Sequence, residues 1–390
     1  MSVFNYRDSI LQHLTSLQKS MCSMYPTLNS EDIRNELKEN SLSKSTQDQV
    51  SCYFRNLLLE NTDSISSSGL VTGTPSLRSF VSQEQLSRIE KSSQGITSIV
   101  SSNGIKAIMK YALQVNTKYR SNDDIYKETI HELIIGLFLN QLRERTPNFM
   151  YTYCGFFCHK PADEEKLKQY KDKMENYLMS KEEYEEYNKN AFRPELLCDE
   201  SNKSHVLILN EYIEDSITLE KFLSSNFRNP QDITLVVLQI LFSLWIANKK
   251  FGFVHNDLHG ENILINKLNK EVEITYRLEG VTYSPQEVVL ETTYIAHIID
   301  YGYSQMTIDE EDIINPSSEA KSKDSENEDF IMFKAMNGLS YESKMNKYLK
   351  DIFVQQSELD PNDENAGFKH FLSRVLVSLA SGVDNKIKIK

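Results

Sequence analysis

FVHNDLHGENILI, residues 253–265, is the stretch whose reading decides the fold. It holds His255, Asp257, His259, Glu261 and Asn262 within eight residues, then enters the apolar run Ile263, Leu264 and Ile265. A polar loop is thus delivered onto a buried strand, and two chemistries compete for it. If the loop is extended, His255, Asp257 and His259 share one face at period two and form a metal-ligand set. That set needs further ligands, yet His13, His131, His159, His205, His297 and His370 stand singly along the chain. The other reading rests on the spacing from Asp257 to Asn262. It takes Asp257 as a carboxylate facing an incoming hydroxyl and Asn262 as an amide that ligates Mg2+. It requires a second Mg2+-binding Asp on a turn after a later strand. HIIDYG supplies Asp300 there, behind an apolar run and followed by Tyr301 and the turn glycine Gly302.

The same reading reaches upstream, to a Lys on the strand after a hairpin and a Glu on the next helix. ITSIV and IKAIMKYAL are β-like runs separated by Ser101, Ser102, Asn103 and Gly104, and Asn-Gly is a strong hairpin signal. Lys110 ends IKAIMK. SNDDIYKETIHELIIGLFLNQLRER then predicts a helix capped by Ser121 or Asn122. Asp123 and Asp124 lie in its first turn, Arg143 and Arg145 at its C-terminal end, and Pro147 is its stop. Glu128 and Glu132 sit one turn apart on it; Glu132 is the expected partner of Lys110, and Glu128 the alternative. FMYTYCGFFC and HVLILNEYI read as two more strands, separated by a charge-laced helical insertion over 161–200. Asn229 and Pro230 start a helix whose residues 231–248 are apolar all round and must be buried. It leads directly into the loop.

The bulk properties narrow the function classes. The 390 residues carry a formal charge of −13, without the basic stripe of a nucleic-acid binder. The five cysteines, an odd number without regular spacing, read as thiols of a reducing, intracellular protein. Cys154, Cys158 and His159 lie in an apolar-aromatic run and read as small buried residues rather than a zinc site. MSVFNYRDSILQHL has neither a signal-peptide pattern nor the Gly after Met of myristoylation. ITLVVLQILFSLWIA is expected to be too short to span a bilayer, so the chain reads as soluble and cytoplasmic, with neither nucleic acid nor membrane as partner.

Lys110, Glu132, HNDLH, Asn262 and IIDYG occur in the order and contexts of the protein-kinase-like superfamily, which the chain resembles from about residue 85 to at least 335. HNDLHGENILI is similar to the catalytic loops of aminoglycoside- and choline-type phosphotransferases, which carry a His where protein kinases carry a Lys. HELIIGLFLNQLRERTPNFMYTYCGFFC, with HNDLH and IIDYG, resembles the serine/threonine kinases of large cytoplasmic DNA viruses, iridoviruses in particular. The resemblance implies an α+β, bilobal fold, with a small β-rich N-lobe containing one key helix and a larger, mainly helical C-lobe. The expected divisions are a helical leader over 1–61, a Ser/Thr/Gly-rich linker over 62–84, an N-lobe over 85–213 and a C-lobe over 214–390. An extended hairpin occupies 266–295 of the last.

The resemblance also implies the roles. ATP and Mg2+ are the cofactors. Lys110, positioned by Glu132, holds the α- and β-phosphates; Asn262 and Asp300 hold Mg2+; Asp257 orients the acceptor hydroxyl; and His259 reaches the γ-phosphate. His255 packs the loop. Gly95, Ser98 and Val100 line the nucleotide loop, with Val100 aligned to the valine that follows it and only the middle of three glycines kept. Ile108 stands where an alanine usually packs on adenine, and the backbone of Glu211, Tyr212 and Ile213 reads the adenine edge. After Asp300 comes the acidic, Ser-rich MTIDEEDIINPSSEAKSKDSENED without an A-P-E motif, and Asp329 is either a brace of the loop or an exposed acid. The partner is a protein serine or threonine or, as His259 also suits, a small molecule; a pseudokinase scaffold is the third reading. The oligomeric state stays open.

Overall fold

The computed structural model describes residues 3–25, 28–59, 64–65, 71–72, 87–92, 95–112, 122–159, 204–224, 229–281, 286–308, 311–313, 368–380 and 386–389. The charged insertion over 161–200, Ser93, Cys198, Asp329 and most of the acidic segment lie outside these residues. The chain divides into two compact units, Met1–Leu137 with Tyr151–Tyr212, and Phe138–Met150 with Ile213–Lys390. Helices with mostly antiparallel sheets give the expected α+β class.

The first unit opens with three helices, α1 (Val3–Cys22), α2 (Ser30–Asn40) and α3 (Lys44–Leu59). Asn29 caps α2 by accepting from Glu31 N–H, with Glu31 and Asp32 in the first turn. The strands are β1 (Ser64–Ile65), β2 (Val71–Thr72), β3 (Ser87–Ser92), β4 (Gly95–Ser102) and β5 (Ile105–Ala112). After helix α4 (Asn122–Leu139) come β6 (Thr152–His159) and β7 (Ser204–Glu211), giving a sheet of order β1-β2-β6-β7-β5-β4-β3. Asn103 and Gly104 turn β4 into β5 with φ of 49° and 79°, the left-handed pair that Asn-Gly favours. Helix α2 holds this turn through Arg34 Nη1 to Asn103 O (2.8 Å), and Asn103 Nδ2 donates to Tyr53 Oη on α3 (2.9 Å).

The core lies between α3 and one face of the sheet: Val50, Phe54 and Leu58 pack with Val100, Ala107, Met109, Tyr153, Phe156 and Leu207. Burying one such side chain contributes about 1.5–3 kcal/mol, so the helices are part of this unit's core. Cys22 and Cys52 form a disulfide that links α1 to α3, which corrects the expectation of free thiols throughout. Helix packing joins sulfurs 30 residues apart, a proximity that spacing does not encode.

Helix α4 also departs from expectation. It ends at Leu139 and runs into a 3-10 turn over Asn140–Leu142, well before Pro147. Arg143 therefore does not serve that helix's C-terminus. It is buried, and its guanidinium donates to Pro147 O (3.1 Å) and Phe149 O (3.0 Å), curling 143–149 into a tight bend.

The second unit contains β8 (Ile217–Thr218), α5 (Leu219–Ser224), α6 (Pro230–Phe251), β9 (Ile263–Leu278), β10 (Gln286–Ile298), β11 (Met306–Ile308), β12 (Glu311–Ile313), α7 (Phe368–Ala380) and β13 (Ile387–Ile389). Asn229 caps α6 by accepting from Gln231 N–H, Pro230 is its first residue, and left-handed Gly252 closes it with an N–H bond to Asn248 O (2.7 Å). At 22 residues α6 is long and apolar enough to cross a bilayer, contrary to the expectation of shortness, but Ile233 through Ala247 are buried by protein. Strands β9 and β10 form one long antiparallel hairpin within a sheet of order β13-β10-β9-β8. On its exposed face Lys388 pairs with Glu273 and Glu291, and Lys386 with Glu271, fastening β13 to the hairpin.

Asn148, fully buried, ties α6 to this hairpin. Its Nδ2 donates to Gln239 Oε1 (3.0 Å) and Ala296 O (2.7 Å), and its Oδ1 accepts from Ser243 (2.9 Å) and Tyr276 (2.7 Å). His297, on β10, is pushed down to about 3 by burial and by the nearby Arg143 charge. Its Nε2 lies 3.0 Å from Asn266 Oδ1, so the neutral ring carries its proton on Nε2.

Two predictions follow from these contacts. Closing a loop of this length by the disulfide contributes about 3–4 kcal/mol, so dithiothreitol is expected to lower the unfolding midpoint of wild-type protein but not of Cys52→Ser. Below pH 6.5 the unfolded chain protonates His297 whereas the folded chain does not until about 3, so stability falls as pH drops through that window. At pH 5 the loss is about 2 kcal/mol, and urea titrations of His297→Gln are expected to have a correspondingly flatter pH dependence.

Candidate functional site

In the first unit, Lys110 projects from β5 and its Nζ donates to Glu132 Oε1 on α4 at 2.8 Å. The close approach of α4 to the sheet allows this bond. A Cβ on Gly136 would stand 2.1 Å from Thr152 Oγ1, and one on Gly155 would stand 2.3 Å from Leu133 Cδ2. Two glycines, one on the helix and one on β6, thus let the helix descend far enough for a short Glu side chain to reach the strand.

Strand register sorts the other expected residues of this unit. Lys110 pairs with Thr97 on β4 and Ile208 on β7, and Ile208 pairs with Gly155 on β6, so these positions lie in one row on the α4 face. Ile108 shares that face and pairs with Ile99. Val100 does not: it pairs with Ala107 and is fully buried in the α3-side core. Ser98 pairs with Met109, another core residue. The structure therefore does not bring Val100 to the side of Lys110. A one-position change of alignment carries Ile99 there instead, because successive strand residues alternate faces. The two-residue Asn103–Gly104 turn, which sets Ser102 opposite Ile105, carries this register down the hairpin to Ile99 opposite Ile108. Gly95 begins β4, opposite Ala112.

Glu211 ends β7 and is buried. Its N–H donates to Tyr151 O (2.8 Å), and its carboxylate accepts from Tyr151 N–H (3.0 Å) and Gln47 Nε2 (3.0 Å). Lys106 Nζ lies 5.0 Å from the Tyr212 ring centroid. Ile213 follows, buried, and its carbonyl accepts from Ser216 Oγ (3.0 Å).

In the second unit the polar loop runs from the end of α6 to β9. Val254 and Gln305 exchange backbone hydrogen bonds, which fixes the loop's first residues to those after the Asp300 turn. His255 is buried. Its Nε2 lies 2.9 Å from Ile299 O, and its ring meets those of Phe253 and Tyr301 edge to face. It is a packing residue, and the extended three-ligand face does not form. Asn256 turns the chain with φ of 62°, and Asn262 Nδ2 donates to Asp257 O (2.9 Å) and to Asp257 Oδ2 (3.3 Å). His259 Nδ1 accepts from Glu261 N–H (3.3 Å), so the neutral ring has its proton on Nε2, 3.8 Å from Asp257 Oδ2.

Asp300 enters through the β9–β10 hairpin. Ile298 pairs with Ile263, and Ile299 N–H donates to Asn262 O at 3.0 Å, so the next residue, Asp300, turns away beside Asn262 with φ of 65°. Tyr301 locks the turn: its buried hydroxyl is 2.8 Å from Ile298 O and 3.2 Å from Met150 O. Asp257, His259, Asn262 and Asp300 are thereby assembled by backbone bonds within one unit. Among the described residues no three His, Cys, Asp or Glu side chains converge as a metal cluster. The donor set offered instead, the Asp300 carboxylate and the Asn262 amide oxygen, is hard oxygen. It fits Mg2+, which keeps waters and substrate phosphates in its shell.

No protein-family model matches the chain. A probable kinase, 098L, of Invertebrate iridescent virus 3 is 24% identical over 216 residues, which is 55% of this chain and 30% of that protein. A probable serine/threonine-protein kinase of Dictyostelium discoideum is 26% identical over 127 residues, 32% of this chain and 10% of that protein. The chain is similar to these kinase-named proteins over part of its length. An uncharacterised protein, 179R, of Invertebrate iridescent virus 6 is 31% identical over 123 residues, 30% of this chain and 10% of its own length. The chain thus spans about a tenth to a third of the length of these relatives. Among solved structures, a crystallised kinase domain aligns with a TM-score of 0.33 at 14% identity, over 57% of this chain and 51% of that one.

Gly136→Ala tests the close approach of α4. The added methyl is expected to destabilise the protein by about 1–3 kcal/mol. Thr152→Ala in the same chain is expected to recover part of that loss in thermal unfolding.

Proposed function

We propose that the chain is an ATP- and Mg2+-dependent phosphotransferase acting on serine or threonine hydroxyls of proteins. The observation that carries this reading is the Asp257, Asn262 and Asp300 constellation, tied together by the Asn262–Asp257 and Ile299–Asn262 hydrogen bonds. The kinase-named relatives support the same class.

In this mechanism Lys110, held by Glu132, binds the α- and β-phosphates, and the face shared by Thr97, Ile99 and Ile108 receives the nucleotide. Because the Glu211 N–H is bonded to Tyr151 O, the backbone donor for the adenine edge falls to Ile213. Asn262 and Asp300 hold Mg2+, which supplies charge neutralisation on the phosphates when bound. Asp257 accepts the hydrogen bond of the acceptor hydroxyl and orients it for in-line attack on the γ-phosphorus. The hydroxyl proton passes to Asp257 as the bond from phosphorus to the bridging oxygen of ADP breaks. His259 offers Nε2–H to the γ-phosphate. Positioning and electrostatics supply the acceleration.

His259 favours a second reading, a small-molecule kinase, because an imidazole beside the catalytic carboxylate replaces the longer cation of protein kinases. The iridovirus relatives support a viral origin and action in the host cytoplasm.

Labelled ATP and Mg2+ with basic proteins, and separately with a panel of hydroxylated metabolites, distinguish the readings. Label is expected on protein, reduced at least 100-fold in Asp257→Ala and in Asp300→Asn. Label on a metabolite alone selects the second reading. If nucleotide neither transfers phosphate nor shifts the unfolding midpoint, the chain is a scaffold and both enzyme readings fail.

A further inference from the structure

Helix α3 reaches the end of β7 through a buried polar chain that phosphoryl transfer by itself does not require. Gln47, 1% exposed, donates from Nε2 to Glu211 Oε1 (3.0 Å) and to Ser41 O (2.6 Å), and its Oε1 accepts from Tyr153 Oη (2.8 Å). The second oxygen of Glu211 accepts from Tyr151 N–H (3.0 Å). Tyr151 Oη donates to Asp48, the neighbour of Gln47, and Asp48 is paired with Lys44. Glu211 itself is only 5% exposed. A carboxylate at that depth requires hydrogen bonds in compensation, and one that loses a donor moves to find water. Movement of Glu211 displaces the backbone at its own residue and at Tyr212, the start of the adenine-reading segment.

We propose that Gln47 is a positioning residue for nucleotide binding: by holding the Glu211 carboxylate it fixes the backbone that reads the adenine edge. The inference rests on the phosphotransferase reading. It makes the N-terminal helices part of the nucleotide-binding unit, across a sequence separation of 164 residues. A purely structural glutamine would lower stability alone. Ser51 provides the comparison, since it lies on the same helix, is buried, and donates to Tyr153 O (2.7 Å) without touching Glu211.

The test measures ATP KM, kcat and the binding of a fluorescent ADP analogue for the full chain. The variants are Gln47→Leu, Ser51→Ala, Gln47→Glu, and the exchange Gln47→Glu with Glu211→Gln. Gln47→Leu is expected to raise the ATP KM and the ADP analogue Kd about tenfold, the effect of losing one hydrogen bond to a charged group, with kcat within about twofold. Ser51→Ala is expected to lower the unfolding midpoint without changing KM. The exchange variant, which restores an amide–carboxylate bond with the partners reversed, is expected to recover most of the nucleotide affinity that Gln47→Glu alone loses. Equal KM changes in Gln47→Leu and Ser51→Ala, or an unchanged KM in Gln47→Leu, overturn the inference while leaving the phosphotransferase reading intact. Failure of the exchange variant to exceed Gln47→Glu also overturns it. A wild-type chain that binds no nucleotide overturns the phosphotransferase reading, and this inference with it.

Discussion

The hydrogen bond from Ile299 N–H to the Asn262 carbonyl is the contact on which the candidate site of the second unit depends. It lies next to the Ile298–Ile263 end of the β9–β10 ladder and sets two distant parts of the sequence side by side. A ladder is cooperative in register, because a slip of one residue turns every side chain to the opposite face. The unbroken pairs from Tyr294–Lys267 to Ile298–Ile263, beyond the register shift between Thr292 and Tyr294, therefore hold the Asp300 turn beside Asn262. Gln239 on α6 strengthens the pairing by donating to Tyr294 O and accepting from Ala296 N–H, so the buried helix and the hairpin are joined by hydrogen bonds as well as apolar packing.

The first unit solves a different problem. Its Lys110–Glu132 pair needs a helix close to a sheet, and the fold secures this by removing side chains at Gly136 and Gly155. The other sheet face is covered by α3, whose Phe54 packs with Tyr153 and whose Gln47 enters the polar chain to Glu211. The two faces thus divide the work: the α4 face carries the charged pair, and the α3 face carries the core. Val100 belongs to the second by strand alternation, although its place in the sequence aligned it with the first.

Both units contain buried polar groups that are hydrogen-bonded in detail. Asn148 and Glu211 each accept from more than one donor, and truncating a partner would expose the full cost of desolvation. Such networks specify geometry more than they add net stability. They are well suited to segments whose backbone must not drift, such as the Asp300 turn and the end of β7.

Local signals in the sequence determined a good deal. Asn229 with Pro230 marked the start of α6, Asn103 with Gly104 marked the β4–β5 turn, and the apolar runs after Asn262 and before Asp300 marked the strands of the hairpin. Each is encoded by neighbours within a few residues, through capping, left-handed backbone preference or periodicity. The face of Val100, the Cys22–Cys52 bond, the early end of α4 and the Gln47–Glu211 contact were decided only by tertiary structure. Each depends on which surfaces meet across tens to more than a hundred residues, and the depth of helix–sheet approach, strand register and the partner of a buried polar group are properties of packing that a linear pattern does not contain.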